Sequence, residues 1–218
     1  MPLDSNTLIS TIDQVKKSSK KRGFVQSIDL IVALKNIDVK KPENRMNELI
    51  HLPHPLTRKN RVCVIASGSL AVNARNAGAD YILSQEQLEA LSEDKKAAKR
   101  LTRDYNSFVA EAPLMPLVGR VLGPVLGPRG KMPTPVPPNV DIEPILQRQR
   151  ASVRIRIRDQ LSASCTVGDE EMESSDIVEN IQTLVSRLEE KYEKGINNLG
   201  VVYLKSTMGS PVKVQQSG

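Results

Sequence analysis

Neither end of this 218-residue sequence has enough strands and helices to form a hydrophobic core by itself. Residues 5–20 place apolar side chains at helical spacing, and residues 24–38 alternate apolar and polar side chains as a half-buried strand does. Residues 153–158 alternate in the same way. A helix follows them, with Asp176 as the predicted N-cap and Glu179 three residues later, and then a last strand. Because a stable sheet needs three or more strands, the two ends are predicted to share one antiparallel sheet that carries two helices.

The middle of the chain has a different pattern. A continuous apolar run at residues 61–66 is typical of a fully buried strand, and a helix, a strand and a polar helix follow it. The polar helix opens at Ser84, with Gln87 at capping-box spacing. This order predicts a parallel α/β unit. Prolines and glycines then recur densely from Pro113 to Pro144, which predicts a loop-rich segment without long regular elements.

Together these patterns predict a mixed α/β fold with two domains. Residues 1–60 and 152–218 are expected to form a discontinuous α+β domain, into which residues 61–151 insert as a Rossmann-like α/β domain. Because two segments of chain connect the domains, a hinge motion between them is expected.

Composition favours a polyanionic partner, and the sequence pattern predicts that the chain is not embedded in a membrane. The net charge is +6 and the pI is about 9.3, which suits the binding of phosphate groups. Cys63 and Cys165 are the only cysteines, which indicates a reducing compartment. No stretch has the length of a bilayer span or the pattern of a secretion signal, so a cytoplasmic protein is expected. Tryptophan is absent and phenylalanine occurs twice, so RNA recognition would depend on shape and backbone contacts instead of base stacking.

Enzymatic chemistry finds little support in the motifs. The glycine-rich segment fails as a Walker loop because Val125 replaces a required glycine and Met132 replaces the serine or threonine that binds magnesium. His51 and His54, with Cys63 nearby, do not supply the four ligands of a zinc site. The chain has no other histidine for a catalytic arrangement. We therefore expect no catalytic activity, no cofactor and no metal.

Three basic clusters are candidate phosphate contacts, at residues 16–22, 95–103 and 148–158. The second cluster follows Glu93 and Asp94 and is more typical of a solvated helix face. The alternating arginines of the third cluster fit a phosphate-binding surface and the wet face of a sheet equally well.

One long motif makes the sequence specific. The segment PLMPLVGRVLGPVLGPRGKMPTP resembles the signature of the universal large-subunit ribosomal protein number one family, in its archaeal form. The resemblance covers nearly the whole chain. Four further segments agree with it in order: LPH at 52–54, AGAD at 77–80, MESSDIVENIQTLV at 172–185 and KSTMGSPVKV at 205–214.

The resemblance implies a non-enzymatic protein of the large ribosomal subunit. The domain made from both termini would bind ribosomal RNA at the mobile stalk near the tRNA exit site, and the inserted domain would reach toward exit-site tRNA and assist release of deacylated tRNA. Many members of the family also repress their own mRNA by binding a similar site in it.

The resemblance further implies an RNA-facing set of ten residues in the discontinuous domain. Small hydroxyls and exposed backbone suit contacts with 2′-hydroxyls and phosphates, one phenylalanine offers a flat apolar contact, and the glycines would let backbone approach closely. On residues alone, a core phenylalanine and an ordinary glycine turn are the alternative. The set is Phe24, Ser27 and Asp29, then Thr166, Val167 and Gly168, and finally Ser206, Thr207, Met208 and Gly209.

The sequence departs from the family pattern at a few positions. Ser210 separates Gly209 from Pro211, Pro55 replaces a usual glycine, and residues 169–171 are acidic where a lysine is common, which puts a local phosphate contact in doubt.

Two alternative functions remain open. One is a small α/β enzyme that binds a phosphorylated ligand at the glycine- and proline-rich loop, and the other is an mRNA repressor that acts off the ribosome.

Overall fold

The computed structural model of the chain describes residues 4–38, 41–58, 60–158, 160–192 and 195–215. The chain contains both helices and strands throughout its length, which confirms the predicted mixed α/β fold class. In chain order they are α1 (Ser5–Ser18), β1 (Ser27–Leu34), β2 (Met46–His51), β3 (Val62–Ile65), α2 (Gly68–Asn76), β4 (Tyr81–Leu83), α3 (Gln85–Ala90), α4 (Lys95–Asp104), β5 (Ser107–Glu111), α5 (Met115–Val121), α6 (Gly123–Arg129), β6 (Thr134–Val136), α7 (Glu143–Arg150), β7 (Ser152–Ile157), β8 (Ser162–Asp169), α8 (Ser174–Lys191), β9 (Leu199–Ser206) and β10 (Val212–Lys213). No helix in the described ranges is both long enough and apolar enough to cross a membrane.

These elements form two compact units. The split unit comprises residues 1–58 and 151–218, and the insert comprises residues 59–150. Each unit has its own sheet and its own buried apolar side chains.

The split unit is built on an antiparallel sheet with the strand order β10-β9-β1-β8, and β2 pairs with β7 in a second, two-stranded sheet. The predicted alternation of β1 is confirmed, because every second residue from Ile28 to Leu34 is buried. α1 and α8 contribute to the same apolar cluster as these residues, so both helices pack on one face of the sheet. The Asp29 side chain, one position out of phase, belongs to the other face.

The predicted starts of two helices have different outcomes. The capping box is confirmed, since the Ser84 hydroxyl accepts a hydrogen bond from the Gln87 N–H and the Gln87 side chain accepts one from the Ser84 N–H. The N-cap predicted for α8 is wrong, because the helix begins at Ser174 with Glu173 in the N-cap position. Asp176 therefore lies inside the first turn, where a carboxylate is still favoured by the helix dipole.

The polar stretch after Ser84 forms two helices instead of one. Asp94 precedes the second helix, α4, and its Oδ1 accepts hydrogen bonds from the N–H groups of Lys96 and Ala97 at 2.8 and 3.0 Å. The Asp94 carboxylate thus satisfies two of the helix N–H groups that have no intrahelical partner.

The insert is built on a parallel sheet with the strand order β4-β3-β5-β6. All residues of β3 are buried, which confirms the buried strand predicted at 61–66. Cys63 and Ile65 belong to one apolar cluster and Val62 and Val64 to another, so both faces of the sheet are covered. This is the arrangement expected of a Rossmann-like unit.

The proline- and glycine-rich segment is not the loop-rich excursion that the sequence predicts, because it contains α5, α6 and β6. Pro116 and Pro124 lie in the first turns of their helices, where a missing N–H removes no intrahelical hydrogen bond. Apolar residues recur every four positions from Leu114 to Leu126, and these side chains are buried in one cluster. Apolar spacing typical of a helix therefore prevailed over the density of helix-breaking residues.

Candidate nucleic-acid interface

The three predicted RNA-facing segments meet at one end of the split-unit sheet. β8 and β9 both run antiparallel to β1, so their C-terminal ends lie beside its N-terminal start. In the strand register Asp29 pairs with Thr166, and Ile28 pairs with Ser206. Segments that are far apart in the sequence therefore form one connected surface region, which we call the sheet-end site.

Thr207 fastens the turn after β9 to the start of β1. The Thr207 N–H donates to the Ser27 carbonyl oxygen at 3.0 Å, and the Ser27 N–H donates to Thr207 Oγ1 at the same distance. The Thr207 hydroxyl also lies 3.3 Å from the Ser27 carbonyl oxygen, to which it donates. The threonine is exposed, so it extends the sheet by one residue while still facing solvent.

Gly209 closes the same turn over a buried serine. Its N–H donates to the Ser206 carbonyl oxygen at 3.1 Å, and a Cβ at position 209 would overlap Ser206 Oγ. Ser206 is only 3% exposed, and its hydroxyl makes no hydrogen bond to any residue that the structure describes. Packing on Ser206 is therefore sufficient reason for a glycine at this position.

Asp29 and Thr166 form a polar pair on the sheet face that α1 and α8 leave uncovered. The Thr166 hydroxyl donates to Asp29 Oδ1 at 2.7 Å, which joins β8 to β1 through side chains as well as backbone. Both residues are partly exposed. Their remaining oxygen lone pairs can accept hydrogen bonds from 2′-hydroxyl donors.

Val167 and Gly168 face the interior of the split unit, unlike Thr166, the remaining predicted residue of β8. Val167 is fully buried, and its carbonyl oxygen accepts a hydrogen bond of 2.9 Å from the Asn180 side chain on α8. A Cβ at Gly168 would lie 2.7 Å from Ile177 Cγ1. The absence of a side chain at Gly168 is therefore needed for the packing of α8 on the sheet, a reason that differs from the close approach of RNA backbone expected from the sequence.

Gln26 connects the three segments, although the sequence analysis did not select it. Its Nε2 donates to Ser19 Oγ at 2.7 Å and to the Lys20 carbonyl oxygen at 3.0 Å, and its Oε1 accepts from the Met208 N–H at 3.3 Å. Its backbone N–H donates to Glu170 Oε1, and its carbonyl oxygen accepts from the Glu170 N–H. The buried side-chain amide of Gln26 therefore joins the end of α1 to the turn after β9, and its backbone joins both to the residue that follows β8.

A signal for Gln26 was present in the alternation of the first strand. Gln26 lies two positions before Ile28, on the side of the strand that is apolar, and it is only 1% exposed. A polar side chain on that side must find hydrogen-bond partners inside the fold, which marks it as part of a buried network.

Large apolar side chains are exposed at the sheet-end site. Phe24 is 52% exposed, Val25 45% and Met208 62%. Single exposed apolar side chains are common on protein surfaces, but these three lie close to the hydrogen-bonded network around Gln26 in one region. They supply flat apolar contacts that sugars and bases can cover.

His54 ties the LPH motif to the start of α8. Its Nε2 lies 2.8 Å from Glu179 Oε2, and its Nδ1 lies 3.8 Å from Asp176 Oδ2. The hydrogen bond to Glu179 is the main reason why the pKa of His54 is raised; burial opposes it, and the charges of Asp176 and Glu179 add to it. The neighbouring Asn180 side chain accepts from the His54 N–H and donates to its carbonyl oxygen. This loop therefore positions the helix that supports β8.

The acidic residues that depart from the family pattern have structural partners. Asp169 is buried, and its Oδ1 accepts from the N–H groups of Glu171 and Met172, while its Oδ2 accepts from the Thr57 N–H at 3.2 Å. Glu170 pairs with Gln26 as described above. The carboxylates of Asp169 and Glu170 order the turn after β8, so they do not simply replace a phosphate-binding lysine.

The insert does not present its glycine-rich lysine as a phosphate ligand. Lys131 Nζ donates to the carbonyl oxygens of Thr102 and Tyr105 at 2.9 and 2.7 Å, which caps the C-terminal end of α4. Ligands of open parallel sheets bind where the strand order reverses, here between the C-terminal ends of β3 and β5. Glu111 is buried there, and its Oε2 accepts from both the N–H and the hydroxyl of Ser67. A carboxylate at this point repels a phosphate group.

Metal ligands do not cluster in the described ranges. No group of three or more histidine, cysteine, aspartate and glutamate side chains with metal-site geometry occurs among those residues. Cys63 is buried in the sheet of the insert, and burial raises the pKa of its thiol to about 12. A thiol with this pKa is a poor ligand, because metals bind the thiolate.

The alternating arginines of β7 lie on the solvent side of the β2–β7 pair. Arg154 donates to the side chain of Asn47 at 3.3 Å, and burial, followed by the charge of Arg156, lowers its pKa. An open hollow of about 420 Å³ adjoins them, lined by Arg156, Arg158, Gln160, Ser162 and Ser164. The arginines of β7 therefore lie on a solvated face of the sheet, and the same face is strongly basic.

Comparison with known proteins identifies clear relatives. The chain matches the model of the Ribosomal protein L1p/L10e family over residues 15–210. It is 47% identical over 207 residues to the large ribosomal subunit protein uL1 of Methanocella arvoryzae, in a match that covers 94% of this chain and 97% of that protein. The protein of the same name from Archaeoglobus fulgidus is 43% identical over 214 residues, with 98% and 100% covered. That of Thermofilum pendens is 47% identical over 200 residues, with 91% and 88% covered.

Proposed function

Because this chain belongs to the Ribosomal protein L1p/L10e family and is a structural, non-enzymatic constituent of the large ribosomal subunit, we propose that it binds ribosomal RNA of the mobile stalk near the tRNA exit site. The proposed contact is the sheet-end site of the split unit. The protein would act in the cytoplasm, on the ribosome.

The observation that carries this proposal is the convergence of three distant segments around Gln26, which hydrogen bonds join. Gln26 and Met208 are 182 positions apart, yet a hydrogen bond joins them. A contact surface whose backbone is fixed before binding loses little conformational entropy when the RNA docks. It can therefore recognise the shape of a structured RNA without many base contacts.

Titration of the pure protein with the stalk-base fragment of large-subunit ribosomal RNA tests the proposal. Met208→Ala is the sharpest variant, because the side chain is exposed and its loss should not affect folding. We expect about tenfold weaker binding, which corresponds to about 1.4 kcal/mol of lost apolar contact. Val72→Ala is the matched control, since Val72 is 57% exposed on α2 of the insert and should leave the affinity unchanged.

Thr207→Val tests the polar part of the site. Valine keeps the shape of the side chain but leaves the Ser27 N–H without its Oγ1 partner, so the turn after β9 should loosen and the affinity for the fragment should fall. A duplex RNA of equal length serves as the competitor at physiological salt. Equal, steeply salt-dependent binding to the fragment and the duplex, with no effect of either variant, would contradict the proposal.

Two further activities are proposed from the family. The insert is proposed to contact exit-site tRNA and to assist release of the deacylated molecule. The sheet-end site is also proposed to bind the protein's own mRNA and so repress its translation. The second activity is tested by competition, since one site requires that the mRNA and the ribosomal RNA fragment displace each other and that Met208→Ala weaken both.

The two rival functions make different predictions. An enzyme that binds a phosphorylated ligand would be stabilised by that ligand in the absence of RNA, which Glu111 at the end of β5 disfavours. A repressor that acts off the ribosome would not sediment with large subunits. Cosedimentation at physiological salt therefore separates the ribosomal component from the repressor.

We further propose that residues 1–60 with 152–218 and residues 61–151 fold as separate domains. Limited proteolysis should then cut near residues 61 and 152 and leave three fragments, with residues 61–151 separating as one folded product and residues 1–60 and 152–218 remaining associated with each other. Cuts confined to residues 113–144 would contradict these boundaries.

A further inference from the structure

β7 and β8 border one open hollow on the split unit, which we call the β7–β8 hollow. Its volume is about 420 Å³, and each of its lining side chains is polar and able to donate hydrogen bonds. Among the described residues that line it, two are cations and none is acidic. Such a lining favours an anionic ligand with several acceptor oxygens. The lining residues are Arg156, Arg158, Gln160, Ser162 and Ser164.

The neighbouring strand β2 does not offset the positive charge beside the hollow. Asn47 lies opposite Arg156 in the strand register. Glu48 is one position out of phase, so its side chain belongs to the other face, where it accepts hydrogen bonds from Arg187 of α8. None of the described residues of β2 therefore adds a carboxylate to the arginine face. Burial and then the charge of Arg156 lower the pKa of Arg154, which shows that positive charges are concentrated here.

A row of hydroxyls connects the hollow to the sheet-end site. Ser162, Ser164 and Thr166 alternate along β8, so their side chains share the face of the sheet on which Thr166 bonds to Asp29. α1 and α8 pack on the opposite face. At about 3.3 Å for each residue of a strand, Ser162 lies about 13 Å from Thr166. The hollow and the sheet-end site therefore belong to one solvent-facing surface.

We propose that the β7–β8 hollow binds phosphate groups of the RNA backbone and extends the sheet-end site along β8 to a second contact with the same RNA molecule. The proposal rests on the proposed function, because it names further residues for the RNA that docks at the sheet-end site. Arg156 and Arg158 bind phosphate oxygens, for which the planar guanidinium group is well suited. The serine hydroxyls and the Gln160 amide donate to phosphate and sugar oxygens, as such side chains do in protein–nucleic acid contacts.

A free nucleotide suits the hollow less well than an RNA backbone does. The described lining contains no aromatic or large apolar side chain on which a single base could stack. An RNA that is already held at the sheet-end site brings a regular series of phosphates within reach of the arginines, so the second contact forms at high effective concentration. An acidic peptide has no such linkage to the sheet-end site. Position on the shared surface therefore favours the RNA backbone.

The test uses the full-length chain and the stalk ribosomal RNA fragment, titrated over a range of salt. The test variant is Arg156→Gln with Arg158→Gln. A second variant, Arg156→Lys with Arg158→Lys, keeps the charge but loses the forked guanidinium groups. The matched control is Lys41→Gln with Lys191→Gln, which removes the same charge from exposed positions that line a separate hollow beside the C-terminal end of α8. Circular dichroism and thermal unfolding verify that all variants are folded.

We expect the test variant to bind the fragment about tenfold more weakly at low salt, with the slope of log K against log salt reduced by about 2, or about 1 for each phosphate contact removed. The lysine variant should keep the slope and most of the affinity, and the control should bind as the unaltered chain does. The proposal is overturned if the test variant binds normally, if the control weakens binding equally, or if the lysine variant loses as much as the glutamine variant.

Tripolyphosphate titrated without RNA separates a small-anion site from an RNA contact. We expect it to bind the unaltered chain weakly. Tight binding that the test variant loses while it keeps its affinity for the RNA fragment would also overturn the proposal. The proposed function has a separate readout, because failure of Met208→Ala to weaken binding contradicts the sheet-end site, whereas failure of the arginine variant contradicts only the hollow.

Discussion

The split unit and the insert treat their polar side chains in opposite ways where RNA contacts are proposed. At the sheet-end site, Gln26 and Thr207 are bonded to the backbone, and the large exposed side chains are the apolar Phe24 and Met208. On α4 of the insert, the exposed groups include the cations Lys96, Lys99, Arg100 and Arg103. A hydrogen-bonded network favours recognition of one RNA shape, whereas exposed cations favour salt-dependent binding of any RNA backbone. The two surfaces therefore differ in the kind of RNA contact that each could make.

Asn180→Leu should have the largest effect, and the effect should be confined to the split unit. Leucine has a similar volume, but it leaves the N–H and carbonyl of His54 and the carbonyl of Val167 without partners inside a buried site. We expect the free energy of unfolding of the split unit to fall by about 3–5 kcal/mol, because each unsatisfied buried group costs about 1–3 kcal/mol. Hydrogen exchange, which follows the units separately, should show faster opening in β8 and unchanged protection in β3. Equal loss of protection in both strands would show that the two units are not independent.

Gly209→Ala should have the next largest effect and is confined to the sheet-end site. The new Cβ meets Ser206 Oγ, so the turn must shift, at a cost of about 1–3 kcal/mol. Affinity for the ribosomal RNA fragment should fall as well. The double variant with Ser206→Ala removes the obstructing oxygen and should recover most of the stability, which chemical denaturation measures. No recovery would mean that Gly209 is needed for a reason other than packing on Ser206.

Lys131→Met should have a smaller effect, which should be confined to the insert. Methionine keeps much of the apolar stem but leaves the carbonyl oxygens of Thr102 and Tyr105 without the charged donor. We expect a loss of about 1–2 kcal/mol, seen as faster hydrogen exchange at the C-terminal end of α4. Binding of the ribosomal RNA fragment should not change. Weaker binding of that fragment would show that the sheet-end site depends on the insert.

The smallest expected effect is the pH dependence that His54 gives to the split unit. Its pKa is raised in the fold, so its contribution to stability is complete below the ordinary value of 6.5 and is lost as pH rises through the raised value. His54→Gln should remove this slope. Urea unfolding at several pH values measures the difference, and parallel curves for the two proteins would exclude a role for the His54 proton.

Local sequence patterns predicted the structure correctly where the residues that decide it are close together in the chain. The alternation of β1 and the capping box at Ser84 are set by neighbours within a few residues, and both were predicted correctly. The N-cap of α8 was misplaced because Asp176 and Glu179 have capping-box spacing, yet their side chains lie beside His54, which is more than 120 positions away. A residue type that suits two roles cannot be assigned from its neighbours alone.

The glycine- and proline-rich segment was misread for a related reason. Prolines and glycines suppress regular structure on average, but the effect of each depends on its position in a helix. Pro116 and Pro124 fall in first turns, and the apolar spacing from Leu114 to Leu126 gives the two helices a buried side. Whether helix-breaking residues or apolar spacing decides the structure depends on what the helices pack against, which the sequence does not show.

By itself the sequence determined the periods of the strands and helices, the mixed α/β class and the motifs that reveal the family, because these depend on residues close together in the chain or on their order. Only the tertiary structure decided that Gln26 joins three segments, that Gly168 is a glycine because Ile177 packs on it, and that Lys131 caps a helix instead of holding a phosphate. Each of these roles is a contact between distant positions, and buried polar groups must find partners wherever the packed fold brings them.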